Sequence, residues 1–437
     1  MVSTEAMSLL EKSNPQKRVA VVAIAGPYRS GKSFLANRFL GKMKGFTIGS
    51  TVQSCTRGIW MWNRMIPISD EIDAILLDTE GLGSTDREFE TDIKIFALSI
   101  LLSSTFVFNQ LGHINEQSIE DLSVVIRLTN ELRVRDGEGE ETGLEFKQFF
   151  PAFVWVLRDF SLNFKTLTPK VYLEQALEST SAGKGIMSDD VFRKNQVRES
   201  IKNFFADLDC CTLVRPVTNE AQLAHIEDLD YEKDLRPEFR TALDALMDKL
   251  KSPQSARVKQ ISGKPLNGTM LLGMALEYVE AINNQEVPVV MSCFERVVQV
   301  ESRRFTEKLF EEVCGRLQSE CDDELMPFED DLETIDEGLE STLCKIIHWA
   351  DQRIGDQLGE VAGVDSLIEL REEFEGRIRS YFKEEMRELN QDISAEHCEQ
   401  LLKTLTSTHS LPKDQITEST DAQSLMSGVK ATLTKHF

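Results

Sequence analysis

Between residues 19 and about 285, short apolar runs alternate with stretches whose apolar residues recur at helical spacing. Runs at 19–25, 58–63, 74–77, 105–108, 153–157 and 212–214 are aliphatic or aromatic and end in polar or glycine residues. Such runs, bounded by polar or glycine residues, read as strands. Residues 34–40 and 270–283 carry helical patterns, and 1–12 read as a short amphipathic helix. Strands separated by helices predict an α/β fold with a doubly wound, mostly parallel sheet. Ligands on such sheets sit at the carboxyl ends of the strands. Residues 135–143 and 250–268 are polar and contain glycine or proline, so both read as loops.

The pattern changes near residue 286, where proline thins out and helical periodicity takes over. Leu370, Phe374, Ile378, Phe382 and Met386 stand four residues apart, with Leu367 and Tyr381 beside them. They form one face of a long helix whose other faces are charged. Two readings are open for that stripe: the core of a helical bundle, or a docking face for another chain. The predicted organisation is an α/β domain over 1–285 and an all-α helical bundle domain over 286–437.

The chemistry lies where strands end. The first run leads into Gly26-Pro27-Tyr28-Arg29-Ser30-Gly31-Lys32-Ser33, followed by Phe34 and a helical pattern. Strand, GxxxxGK[ST], helix is a phosphate-binding loop in its proper context. Its glycines let main-chain N–H groups face a polyphosphate, and the helix N-terminus adds partial positive charge. Lys32 would reach the β- and γ-phosphates, and Ser33 would ligate Mg²⁺. The run at 74–77 ends in Asp78-Thr79-Glu80-Gly81. In phosphate-loop hydrolases this DxxG acid holds the Mg²⁺ shell through water, and the glycine N–H meets the γ-phosphate. Between the two, the hydroxyl-rich segment 49–57 should supply a switch threonine to the metal: Thr56, with Thr51 as second candidate.

No Asn-Lys-x-Asp loop for guanine occurs; instead the run at 153–157 ends in Arg158-Asp159. A carboxylate there could accept from guanine N1–H and N2–H₂, donors that adenine lacks. A plain surface Arg-Asp turn is the alternative. For Arg29, taken alone, a phosphate contact and a solvent-facing cation are equally open.

Composition narrows the class further. The 437 residues carry a net charge of −24, which argues against a nucleic-acid backbone or an anionic lipid as main partner. Eight cysteines without a CxxC pair read as reduced thiols of a cytoplasmic protein, not a disulfide framework or a zinc site. Neither a leader, a bilayer-spanning run nor a prenylation box is expected.

Taken in order, GPYRSGKSFLANRFLGK, KGFTIGSTVQSCTRGIWMW, ILLDTEGLG, FALSILLSSTFVFNQLGHINEQ, FVWVLRDFSL and Arg215-Pro216-Val217 resemble the guanylate-binding proteins, large GTPases of the dynamin superfamily. The resemblance is dense to about residue 285 and looser beyond it. It implies a P-loop GTPase domain and a helical middle domain that stops short of the family's tail helices.

It also implies roles. Arg29 matches an arginine finger supplied in cis, with Lys32, Ser54 and Glu80 as its catalytic companions. Ser54 would help position the attacking water, and Glu80 would sit in the water network. Ser33, Thr56 and Asp78 match the Mg²⁺ site. Gly26, Tyr28, Arg29, Ser30, Gly31, Lys32, Ser33, Phe34 and Gly81 would surround the phosphates. Asp159, with Arg158 beside it, matches the guanine reader, and Arg215 falls near the guanine cap and dimer face. Cys55 stands where vertebrate members often carry histidine.

The expected function is Mg²⁺-dependent GTP hydrolysis to GDP, with GMP left open as a product. A homodimer through the GTPase domain is expected, with protein partners on the helical half. The alternative is a GTP-binding scaffold or switch with negligible hydrolysis, acting through its helices.

Overall fold

In the computed structural model the first apolar run becomes strand β1 (Arg18–Ala25), buried from Val19 onward. Around it, in chain order, lie α1 (Thr4–Glu11), α2 (Lys32–Phe39), β2 (Ile59–Met61), β3 (Ile66–Pro67), β4 (Ile72–Thr79), α3 (Phe89–Leu102) and β5 (Thr105–Leu111). Then follow α4 (Glu116–Asp121), β6 (Ala152–Arg158), α5 (Pro169–Ala176), α6 (Asp189–Phe204), β7 (Leu208–Leu213), α7 (Glu220–Ala224), α8 (Pro237–Lys251), β8 (Gln260–Ile261), β9 (Lys264–Pro265) and α9 (Gly268–Asn283). Three long helices close the list: α10 (Val290–Asp322), α11 (Leu332–Leu358) and α12 (Val364–His409). The structure describes residues 1–47, 58–81, 89–122, 147, 149–164, 166–179, 189–205, 207–284, 288–322, 332–359 and 361–409. They divide into two units, Met1–Glu301 and Ser302–Phe437.

The sheet runs β2-β4-β1-β5-β6-β7, with β3 also on β4. β4, β1, β5, β6 and β7 are mutually parallel, whereas β2 and β3 pair antiparallel to β4. Thus the expected mostly parallel, doubly wound sheet is present. Its central strands are apolar over most of their length because helices cover both faces. One core gathers Val22, Ile24, Phe34, Phe39, Leu76 and Val154 with Phe239 and Leu243 of α8. On the other face Phe106, Phe108 and Phe153 pack with Phe96 and Phe205.

Local chemistry sets several helix starts. Ser3 caps α1 by accepting from the Ala6 N–H, and Asn267 caps α9 by accepting from that of Met270. Proline opens both α5 and α8 at the first turn, where its missing N–H costs nothing.

The stretch read as a loop over 250–268 needs correction, because it contains the β8–β9 ribbon. Strand order supplies the reason. β5 joins β1 only from Val22 onward, leaving the groups of Val19 without a strand on that side. The Lys259 N–H donates to Val19 O (2.7 Å), and the Val19 N–H donates to Leu266 O (2.9 Å). A buried backbone requires such partners.

The same ribbon buries Lys259. Its Nζ donates to Ser103 O (2.9 Å) and Phe149 O (3.3 Å), just ahead of β5 and β6. Burial alone pushes this amine down to about 7. The unfolded value is about 10.4, so the unfolded chain holds the extra proton between those two values. The resulting penalty is full below about pH 7 and relieved as pH rises toward about 10. Urea unfolding should therefore show wild type gaining on Lys259→Met by roughly 1–3 kcal/mol between about pH 7 and pH 9.5. Parallel stability profiles would refute this.

In the second unit, Phe374 and Ile378 of the predicted stripe are buried. Phe310 of α10 meets Phe374 and Tyr381 edge-on, with ring centroids 6.3 and 5.6 Å apart. Arg377 lies over the Phe310 ring and forms an ion pair with Glu307. At these positions the stripe is bundle core. No helix among the described residues is long and apolar enough to cross a membrane.

Candidate functional site

Five parallel strands end on one edge of the sheet, and several of the described residues singled out from the sequence stand along it. Register explains the juxtaposition: Ile24 of β1 lies opposite Asp78 of β4, and Ala25 opposite Phe108 of β5. β1 then turns sharply into the loop before α2. Gly26 sits at φ +144°, and an added Cβ would lie 2.0 Å from Asn109 O. Only glycine fits there. Gly31, at φ +85°, is the N-cap of α2.

Arg29 also occupies the left-handed region, at φ +62°. For a non-glycine residue this conformation costs on the order of 1 kcal/mol or more, and it clusters at functional sites. Its side chain is exposed, with the guanidinium carbon 5.6 Å from the Tyr28 ring centroid. Ser30 instead points inward and donates from Oγ to Pro27 O (2.9 Å).

Lys32 curls back along the loop, and its Nζ donates to Pro27 O (3.0 Å). It is buried, which pushes its ammonium down to about 8, while Asp78 and Glu80 pull it back up. Ser33 Oγ donates to Asp78 Oδ2 at 2.7 Å. Thr79 Oγ1 donates to Ile24 O (3.0 Å), tying the end of β4 to β1. Glu80 holds Gly58 by two bonds: its own N–H donates to Gly58 O (2.8 Å), and the Gly58 N–H donates to Glu80 Oε2 (2.9 Å). Gly81 lies directly on the loop, since a Cβ there would stand 2.5 Å from Tyr28 Cα and 2.9 Å from Lys32 Nζ. The structure thus brings Gly26, Tyr28, Lys32, Ser33, Asp78 and Gly81 into one cluster.

Other residues are placed differently from a simple reading of the motifs. The Phe34 side chain is core, 6.2 Å from the Phe239 ring, so only its main chain in the first turn of α2 is available to a ligand. Arg158 is buried, not the surface turn that was one alternative. Its Nη1 donates to Gly31 O (3.4 Å), and its guanidinium lies 5.7 Å from the Phe34 and Phe239 rings. Burial pushes it down to about 10, against the pull of Asp159 and Cys211. Asp159 is half-buried and left-handed at φ +55°. Arg215, beyond β7, forms an ion pair with Glu220 at 2.6 Å. Ser54, Thr56, Thr51 and Cys55 lie outside the described residues.

Asn109 was missed by motif reading. It is fully buried and donates from Nδ2 to Ser30 O (2.7 Å) and Ser30 Oγ (3.1 Å). The available signal was a polar Asn-Gln pair interrupting a mostly apolar strand near its end.

The donor set suits a hard divalent cation. Ser33 Oγ and Asp78 Oδ2 are both oxygens, already 2.7 Å apart, as Mg²⁺ ligation and its water shell require. Among the described residues no cluster of three or more His, Cys, Asp or Glu forms another metal site.

A family profile described as "Guanylate-binding protein, N-terminal domain" matches residues 1–260. Guanylate-binding protein 2 of Homo sapiens is 36% identical over 374 residues, covering 82% of this chain and 61% of that protein. Guanylate-binding protein 6 of Homo sapiens is 39% identical over 314 residues, covering 70% and 47%. Guanylate-binding protein 7 of Mus musculus is 37% identical over 311 residues, covering 69% and 47%. The chain therefore spans between about half and three-fifths of the length of these relatives.

Proposed function

The chain belongs to the guanylate-binding protein family, and on that footing we propose that it binds GTP with Mg²⁺ and hydrolyses it to GDP. One observation carries the proposal. Lys32, the Ser33–Asp78 pair and Gly81 meet around a left-handed glycine loop at the carboxyl edge of a parallel sheet.

Each residue then has a physical task. Main-chain N–H groups of the loop and of the first turn of α2 face the polyphosphate. Lys32 sets a desolvated ammonium against the terminal phosphates, where low dielectric strengthens the attraction. Ser33 and Asp78 would hold Mg²⁺, with Thr56 completing the shell, and the bound ion would supply charge neutralisation to the polyphosphate. Gly81 permits close main-chain approach to the γ-phosphate. Glu80 fixes Gly58, the residue that follows the segment carrying Ser54 and Thr56, and Ser54 orients the attacking water. Arg29, exposed on the rim, turns onto the phosphates when two GTPase domains meet as a homodimer. Arg215 lies at that dimer face and the guanine cap. A cytoplasmic location goes with this reading, resting on the eight cysteines taken as reduced thiols.

Calorimetry with Mg²⁺·GTP and Mg²⁺·ATP tests the reading, and equal affinities would overturn it. Asp159 is the discriminating group: its carboxylate accepts from guanine N1–H and N2–H₂. Asp159→Asn replaces one acceptor oxygen with a donor, and should lower the guanine preference by roughly 10–100-fold, the worth of a charged hydrogen bond. Product analysis after GTP incubation then separates GDP from GMP, and either from the negligible turnover of a pure switch.

A further inference from the structure

Beyond the motif residues, we infer that Asn109 is a positioning residue that aims the phosphate loop from beneath. The inference rests on the GTP-binding reading above. Three observations support it. Asn109 contacts both ends of the loop: its carbonyl leaves no room for a Cβ on Gly26, and its Nδ2 holds Ser30. Ser30 O can only accept, so the amide orientation is unambiguous. Asn109 Oδ1 has no hydrogen-bond partner among the described residues, so the tie to Ser30 runs through Nδ2 alone.

Peptide geometry turns this anchor into a functional device. In a trans peptide the C=O and the following N–H point in opposite directions. Holding Ser30 O inward at 2.7 Å therefore turns the Gly31 N–H outward, toward the ligand side of the loop. It also pins the residue that follows Arg29, whose φ of +62° a free loop would relax. Asn109 touches no phosphate in this scheme; it presets a donor that does.

Without the Nδ2 donor, Ser30 O is buried and unsatisfied, which favours a flip of the Ser30–Gly31 peptide. Asn109→Leu and the isosteric Asn109→Asp should each lower Mg²⁺·GDP affinity by roughly 10–100-fold, as expected for a lost buried hydrogen bond. Both nucleotide-free variants should still melt cooperatively. Gln110→Leu is the control. It removes a neighbouring buried amide, which accepts from Trp155 Nε1 (3.1 Å) and donates to Ser118 Oγ. Its affinity should stay within about three-fold of wild type, since its partners are remote from the loop. The inference fails if both Asn109 variants keep affinity within that margin, if Gln110→Leu loses as much, or if both Asn109 variants lose cooperative melting. Wild-type protein that binds no Mg²⁺·GDP would instead sink the GTP-binding reading, which separates the two failures.

Discussion

Arg29→Ala is expected to slow single-turnover GTP hydrolysis by roughly 10³–10⁵-fold while leaving Mg²⁺·GTP affinity within a few-fold. The split follows from where the residue sits. Its backbone is part of the loop, but its side chain is exposed and rests near Tyr28 rather than inside the cluster around Lys32. Ground-state binding therefore does not depend on it. The transition state spreads charge over the transferring and leaving oxygens, and a guanidinium arriving there stabilises that charge selectively. Arg29→Lys should restore little, because an ammonium lacks the planar fork. Rapid-quench measurements at saturating enzyme give the rate, and fluorescent-nucleotide titration gives the affinity. Equal rates for wild type and Arg29→Ala would remove the arginine-finger role; equal rates near zero would favour the switch.

Lys32→Ala is expected to act on binding instead, weakening Mg²⁺·GTP by roughly 10²-fold or more. Removing one partner of a buried, hydrogen-bonded charge pair costs about 2–5 kcal/mol. Here the amine is already buried and already desolvated, as its fall to about 8 records. The protein has met the desolvation cost before the ligand arrives, so the attraction to phosphate is expressed nearly in full. Calorimetry should show the loss with the melting transition retained, because among the described residues Lys32 Nζ hydrogen-bonds only to Pro27 O. Affinity preserved in Lys32→Ala would mean that the ligand sits elsewhere.

Much of the site was legible beforehand because motifs of this kind are local. The turn at Gly26, the left-handed Gly31 and the helix start at Lys32 depend on residues within one octapeptide. Asp78 was legible at the end of an apolar strand. The strands at 19–25, 74–77, 105–108 and 153–157 were recognisable from apolar runs, and the observed elements extend them by a few residues. The ribbon at 260–265 was not, since two-residue strands carry no periodicity. It forms because the start of β1 needs partners.

Arg158, Phe34 and Asn109 mark the other boundary. The resemblance set Arg158 next to Asp159, and only packing reveals that its guanidinium lies beneath Gly31. Ser30 and Asn109 are 79 positions apart, and nothing in either neighbourhood announces their bond. The chain alone determined the strand-and-helix alternation, the phosphate loop and the acid that faces it, because short-range stereochemistry and burial patterns dictate those. Only the tertiary structure decided which side chains turn inward to hold the loop, because that follows from laying β5 beside β1 and β6 beside β5, long-range pairings no local pattern encodes.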